Sequence, residues 1–201
     1  MVELLVDARA RLGECIVWCA DFGALFWTDI EGSTLSRWSA ATGHTRQWTM
    51  PERVGSFALC AKSSQLLLGL ASGIGLFDLD RGALSPIVPV EPDQPTTRIN
   101  DGRCDPQGRF VFGMFNSQPD AIGHFYRVDA NLTIERLPLP AVTVANSIAF
   151  SPDGSNLYFA DSPTRKNSLR PIPRRWPCRR TTPVRAAPPQ RRLSGRLGRG
   201  R

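Results

Sequence analysis

The sequence predicts an all-β fold, a β-propeller represented by about three and a half blades. Three observations carry this expectation. A turn followed by a short apolar or aromatic triplet recurs four times. The recurrence has a period of 41 to 47 residues. The segments between the triplets alternate apolar and polar residues as strands do, and no capped helical pattern competes with them.

The four units follow in order. Asp21-Phe22-Gly23 leads to Leu25-Phe26-Trp27, and Lys62-Ser63-Ser64 leads to Leu66-Leu67-Leu68. Asp105-Pro106-Gln107-Gly108 leads to Phe110-Val111-Phe112, and Ser151-Pro152-Asp153-Gly154 leads to Leu157-Tyr158-Phe159. Pro presets φ and Gly accepts a positive φ, so the last two turns carry hairpin chemistry. Leu12-x-Glu14-x-Ile16-x-Trp18 alternates as an inner strand would. Gly75–Leu79 and His124–Val128 read as further strands. Four strands per unit of about 40–50 residues is the pattern of propeller blades. The competing architecture is a β-sandwich with coincidental spacing. An unclosed ring would expose blade faces and a strand edge.

Composition divides the chain in two. Its 201 residues are 41% apolar, and the formal charge is +7. Residues 167–201 hold 11 Arg, 6 Pro and no Asp, Glu or Lys, which leaves −4 on residues 1–166. The first part is expected to be the partial propeller. The second is expected to be a disordered basic tail, since such a composition cannot bury a core. The tail's Arg, Pro, Gly and Ala content is what GC-rich codons give when read out of frame. A frameshift near codon 167 is therefore expected, and resequencing tests it. The rival is a true basic tail that binds nucleic acid. No run of 18 apolar residues suggests a membrane span. The N-terminus has no secretory pattern and the five cysteines are scattered, so a cytoplasmic protein with reduced thiols is expected.

Counting five residues back from each turn reaches Glu14, Ser56, Asn100 and Asn146. Equivalent positions on successive inner strands ring one level of a propeller channel, so Glu14, Asn100 and Asn146 are expected to converge. These oxygen-rich side chains suit a hard divalent cation such as Ca²⁺ or Mg²⁺, or Mn²⁺, Zn²⁺ or Fe²⁺ with waters. The bland alternative is that each bonds a turn's backbone. Asp101-Gly102 is expected to shape a turn, and His44 and His124 are expected at the surface. There is no Gly-x-Ser-x-Gly elbow, so a serine hydrolase lacks its anchor.

Leu12-Gly13-Glu14-Cys15-Ile16-Val17-Trp18, Phe26–Ile30, Arg98–Arg109 and Asn146–Gly154 with Leu157–Ser162 occur in order. Together they resemble the SMP-30/gluconolactonase (regucalcin-like) family over about residues 8–166. The resemblance implies a six-bladed propeller that hydrolyses a sugar lactone to the sugar acid with a divalent metal. It implies metal-ligand positions at Glu14 and Asn146, and substrate-contacting positions at Arg98 and Asn100. Two departures stand out. The family's acidic substrate-contacting residue has no counterpart in Gly113–Gln118. The family's third ligand and usual general base, a fifth-blade Asp, lies past the matching region, so no catalytic residue is assigned. Impaired turnover is expected for this chain. The implied partner is a small-molecule sugar lactone. A non-enzymatic calcium-binding or scaffold propeller is the alternative.

Overall fold

A computed structural model describes residues 2–61 and 64–172. The turn residues Lys62 and Ser63, together with Cys178 and the rest of the expected tail beyond residue 172, lie outside the described residues.

The described residues form four antiparallel meanders. The first holds β1 (Gly13–Cys19), β2 (Ala24–Asp29), β3 (Thr34–Ser39) and β4 (Thr45–Thr49). The second holds β5 (Val54–Leu59), β6 (Gln65–Leu70), β7 (Gly73–Asp78) and β8 (Ala83–Pro89). The third holds β9 (Thr97–Cys104), β10 (Phe110–Asn116), β11 (Phe125–Val128) and β12 (Ile134–Arg136). The fourth holds β13 (Ala145–Phe150), β14 (Asn156–Asp161) and β15 (Lys166–Pro171). A single 3₁₀ turn, Ser162–Thr164, is the helical structure among these residues. Among the described residues no helix is long and apolar enough to cross a membrane.

The recurring triplets are the second strands of the four sheets, and their unbroken apolar character has a packing cause. Leu66, Leu68 and Leu70 pack with Phe26, Leu35 and Trp48 of the first sheet. The neighbouring Leu67 points the other way and packs with Ile99, Phe110 and Phe112 of the third. In turn Val111 faces the fourth sheet beside Leu157 and Phe159. In the second and third sheets this strand is therefore buried on both faces, and each buried Leu or Phe contributes about 1.5–3 kcal/mol by leaving water. The three cores are the three interfaces between successive sheets. This stacking of blades along an arc rules out the two-sheet sandwich.

Two turns follow the expected chemistry. Gly108 and Gly154 take φ of 77° and 67°, closing the β9–β10 and β13–β14 hairpins. The Asp153 carboxylate accepts from the Ser151 hydroxyl and from Ser155, which holds its pKa down at about 2. It is a turn residue at the end of the inner strand away from Asn146.

Elsewhere the structure departs from expectation. The strand Lys166–Pro171 runs antiparallel to β14, from Asp161↔Lys166 to Asn156↔Pro171. It crosses the boundary expected at residue 166 and adds a third strand to the fourth blade. Asp101 and Gly102 do not form a turn; they lie within β9. His124 is not a surface residue: its side chain is 15% exposed and its Nδ1 lies 2.9 Å from the buried Glu91 carboxylate. His44 is exposed as expected. The alternation in β1 holds from Glu14 to Cys19, but the exposed face carries Ile16 and Trp18, at 69% and 52% exposure.

Candidate functional site

The first strands β1, β5, β9 and β13 stand side by side, β5 against β1 and β9, and β9 against β13. Their ladders share a defect. In β1, Glu14 pairs with Thr28 and the next regular pair is Val17↔Phe26, so Cys15 and Ile16 oppose Trp27 alone. In β13, Asn146 pairs with Ala160 and Ala149 with Tyr158, so Ser147 and Ile148 oppose Phe159 alone. In β9, Asn100 and Asp101 oppose Gly113 alone. Such bulges re-aim side chains and free backbone groups. Cys15 and Ser147 take left-handed φ of 50° and 57° to make them.

Glu14 and Asn146 therefore occupy equivalent places, each just before its bulge. A second correspondence agrees with this. The Asp29 carboxylate accepts from the Arg11 and Leu12 amides, and the Asp161 carboxylate from the Thr143 and Val144 amides. Asn100 is one step further along, inside its own bulge, so the equal register expected for all three residues fails for it. Even so, Glu14, Asn100 and Asn146 line one small cleft, together with Cys15, Ile30, Gly55 and Asp101. Ser56, the second-blade position, is excluded. It is fully buried, and its hydroxyl has no partner among the described residues.

Gly55 takes the second blade's place in the cleft for a steric reason. A Cβ there would stand 2.2 Å from the Ile99 carbonyl oxygen and 2.8 Å from that of Asn100. No side chain fits, so glycine lets β5 and β9 approach.

A polar relay runs across the cleft. Asn146 Oδ1 accepts from Asn100 Nδ2 at 3.2 Å, and its Nδ2 donates to the Ser162 hydroxyl at 2.7 Å. Asn100 Nδ2 also donates to the Ala145 carbonyl at 2.8 Å, and Asn100 Oδ1 accepts from Arg98 Nη1 at 2.8 Å. Arg98 is buried, lies 4.3 Å over the Phe115 ring, and bonds the Ile99 carbonyl with the same Nη1. Among the described residues its Nε and Nη2 have no acceptor, so both are open to another one. Burial pushes its pKa down, while the nearby Glu31 and Glu14 carboxylates oppose that. The guanidinium still carries its charge at any ordinary pH.

Glu14 is exposed and its carboxylate makes no hydrogen bond to the described residues. No group of three or more His, Cys, Asp or Glu that could hold a metal occurs among these residues. Glu14 and Asn146 thus offer one anionic and one neutral oxygen donor. That pair fits part of a hard cation's shell, with the remainder left to solvent or substrate oxygens. Cys15 is not a competing soft ligand. Burial pushes its thiol up to about 12, and Sγ accepts from the Phe57 amide at 3.4 Å.

Sequence reasoning missed Gly55, Asp101, Cys15 and Phe115. Phe115 had a legible signal, since it lies on the second strand directly opposite Arg98. The bulges had none, because any residue type can occupy them.

Fold and site together define a class: blades of a β-propeller with an oxygen-rich cluster where their inner strands meet. The chain belongs to the SMP-30/Gluconolactonase/LRE-like family, whose profile matches residues 12–172. It is 52% identical over 166 residues to an L-arabinolactonase from Azospirillum brasilense, with 81% of this chain and 55% of that protein covered. It is 36% identical to a 6-deoxy-6-sulfogluconolactonase from Pseudomonas putida, with 81% and 55% covered. Among solved structures it resembles a calcium-binding protein, regucalcin, from Agrobacterium tumefaciens str. C58. There the TM-score is 0.78 at 28% identity, over 84% of this chain and 57% of the other. The chain spans about half the length of the curated relatives it matches.

Proposed function

We propose that this chain carries the metal-holding and substrate-binding part of a sugar lactonase, an enzyme that opens an aldonolactone to its sugar acid. The observation that carries the reading is the Arg98–Asn100–Asn146 relay ending beside the free Glu14 carboxylate. The likeness to an L-arabinolactonase and a 6-deoxy-6-sulfogluconolactonase supports it and favours an aldonolactone as the substrate class.

Glu14 and Asn146 would hold a divalent cation, with Ca²⁺ preferred and Zn²⁺, Mn²⁺, Mg²⁺ or Fe²⁺ as alternatives. When bound, the cation supplies Lewis-acid polarisation of an ester carbonyl. The chain's own residues orient the substrate. Arg98 presents Nε and Nη2 as a fixed fork to sugar hydroxyl or carbonyl oxygens. Asn100 keeps that fork in place through Oδ1 and keeps Asn146 facing the cleft through Nδ2. Asn100 is thus turned toward the relay more than toward the sugar. No residue in the matched segment is assigned as general base, so slow turnover is expected.

The test joins binding to turnover. Mn²⁺ titration followed by electron paramagnetic resonance should show a bound ion in the full chain. Glu14→Gln and Asn146→Ala should each weaken it at least about tenfold, the effect of losing an oriented donor. Acid release from L-arabinono- and gluconolactone should rise slightly above the buffer rate, and EDTA or Arg98→Ala should abolish the rise. Turnover unaffected by EDTA would overturn the reading. The likeness to a calcium-binding regucalcin favours one alternative, a non-enzymatic cation-binding or scaffold propeller. Metal binding with no EDTA-sensitive turnover would select it.

A further inference from the structure

The bulge in β13 creates a problem that the neighbouring blade solves. Ile148 is buried, and the bulge takes its N–H out of the ladder with β14. A buried N–H without an acceptor is costly. The acceptor is the Asp101 carboxylate, with Oδ2 2.7 Å from the Ile148 nitrogen, on a different sheet. Asp101 is itself the second bulge residue of β9. Its sequence neighbour Asn100 bonds the Ala145 carbonyl and Asn146 Oδ1. Two consecutive side chains of β9 therefore grip β13 on either side of Asn146. Between the grips, Ser147 is held at φ 57°, which costs a non-glycine residue about 1–2 kcal/mol. A conformation of that kind persists where surrounding bonds over-determine it.

We propose that Asp101 is a positioning residue that locks the β13 bulge so that Asn146 Oδ1 faces the cleft as a cation donor. The proposal rests on the reading of Asn146 as a metal ligand. Asp101 acts as a hydrogen-bond acceptor for a neighbouring backbone, and its negative charge is not what the site needs from it. Without the bond, Ser147 relaxes toward a right-handed conformation, the Ser147–Ile148 peptide turns, and Asn146 loses its aim.

The full chain serves for the test, as wild type, Asp101→Ala, Asp101→Asn and Asn146→Ala. Mn²⁺ affinity is read by electron paramagnetic resonance, and Ile148 amide exchange by NMR. Asp101→Ala should weaken Mn²⁺ binding about tenfold, as loss of a supporting hydrogen bond does, and should strip protection from the Ile148 amide. Asp101→Asn keeps an acceptor oxygen without the charge, so it should restore both to near wild type. Wild-type Mn²⁺ affinity in Asp101→Ala would overturn the proposal. An Asn variant as weak as the Ala variant would also overturn it, by making Asp101 a direct ligand or a needed charge. If Asp101→Ala does not fold, the Asn variant alone decides on the same criterion. Equal Mn²⁺ binding by wild type and Asn146→Ala would instead overturn the metal reading beneath it, while Ile148 exchange would still report the bond.

Discussion

Arg98 illustrates how one side chain is prepared for recognition. A guanidinium free in solution samples many rotamers, whereas here three contacts fix it: the Ile99 carbonyl, Asn100 Oδ1 and the Phe115 ring. The ring contact is worth about 0.5–2 kcal/mol where the cation is shielded from water. Phe115→Leu keeps the apolar volume but removes the π-face. It should weaken binding of L-arabinonate, the sugar acid that the proposed reaction would release, about three- to tenfold, the equivalent of roughly 0.7–1.4 kcal/mol. Phe115→Trp should preserve it, and Mn²⁺ affinity should be unchanged in both. An NMR titration measures this, and a Leu variant that binds as wild type would remove Phe115 from the site. Glu14, Asn100 and Asn146 could be picked out of the sequence by their common spacing ahead of the repeated turns, and Arg98 by the family resemblance. The linkage among them was not legible. It depends on bulges that shift Asn100 by one position relative to Glu14 and Asn146, and a shift of one residue has no compositional trace.

At the scale of the strand, Asp29 repays attention because Asp161 repeats its role. Each carboxylate ends the second strand of its sheet and gathers the amides that lead into the first. Asp29 accepts from Arg11, Leu12 and Gly32 at 2.9–3.0 Å. Its modest burial would raise its pKa, but the three backbone donors outweigh that and hold it below the ordinary aspartate range. Since the folded-state value is depressed, the stabilisation is present above the unfolded pKa and is lost as pH falls through the folded one. Asp29→Ala should cost about 1–2 kcal/mol at neutral pH, discounted for partial exposure from the range for charged acceptors. Urea unfolding at several pH values measures it. The gap between wild type and variant should be constant above about pH 5 and should close as pH falls below about 4, where an unfolded aspartate protonates. A gap independent of pH would show that the carboxylate's charge plays no part. The second strands were the most legible elements: burial on both faces keeps Leu66, Leu67 and Leu68 and Phe110, Val111 and Phe112 apolar throughout, whereas Tyr158 in β14 is 41% exposed. The strand β15 was hidden, because Asn167-Ser168-Leu169-Arg170-Pro171 carries polar and Pro residues that fit an edge strand as readily as a tail.

For the molecule as a whole, the cores lie between sheets, so among the described residues the first and fourth sheets each keep one face without a neighbouring sheet. On the first sheet this face shows Ile16 and Trp18, flanked by Leu4 at 76% and Leu5 at 56% exposure. The N-terminal segment partly lids it, leaving an apolar groove lined by Leu4, Leu5, Ile16, Leu25 and Trp27. On the fourth sheet Tyr158 is 41% and Leu169 51% exposed. Clustered apolar side chains of this size drive association when water is their only neighbour. The 201-residue chain should therefore self-associate in a concentration-dependent way. Its light-scattering mass should rise across the micromolar range and rise further with added sulfate, which strengthens apolar contacts and screens the +7 net charge. The double variant Ile16→Thr, Trp18→Thr places a β-branched strand former at both positions while removing most of the exposed apolar surface on β1. It should shift the onset to at least about tenfold higher concentration without lowering the unfolding midpoint, since neither side chain belongs to the buried cores. A wild-type chain that stays monomeric at every concentration and salt level would show that the exposed faces are covered from within the chain.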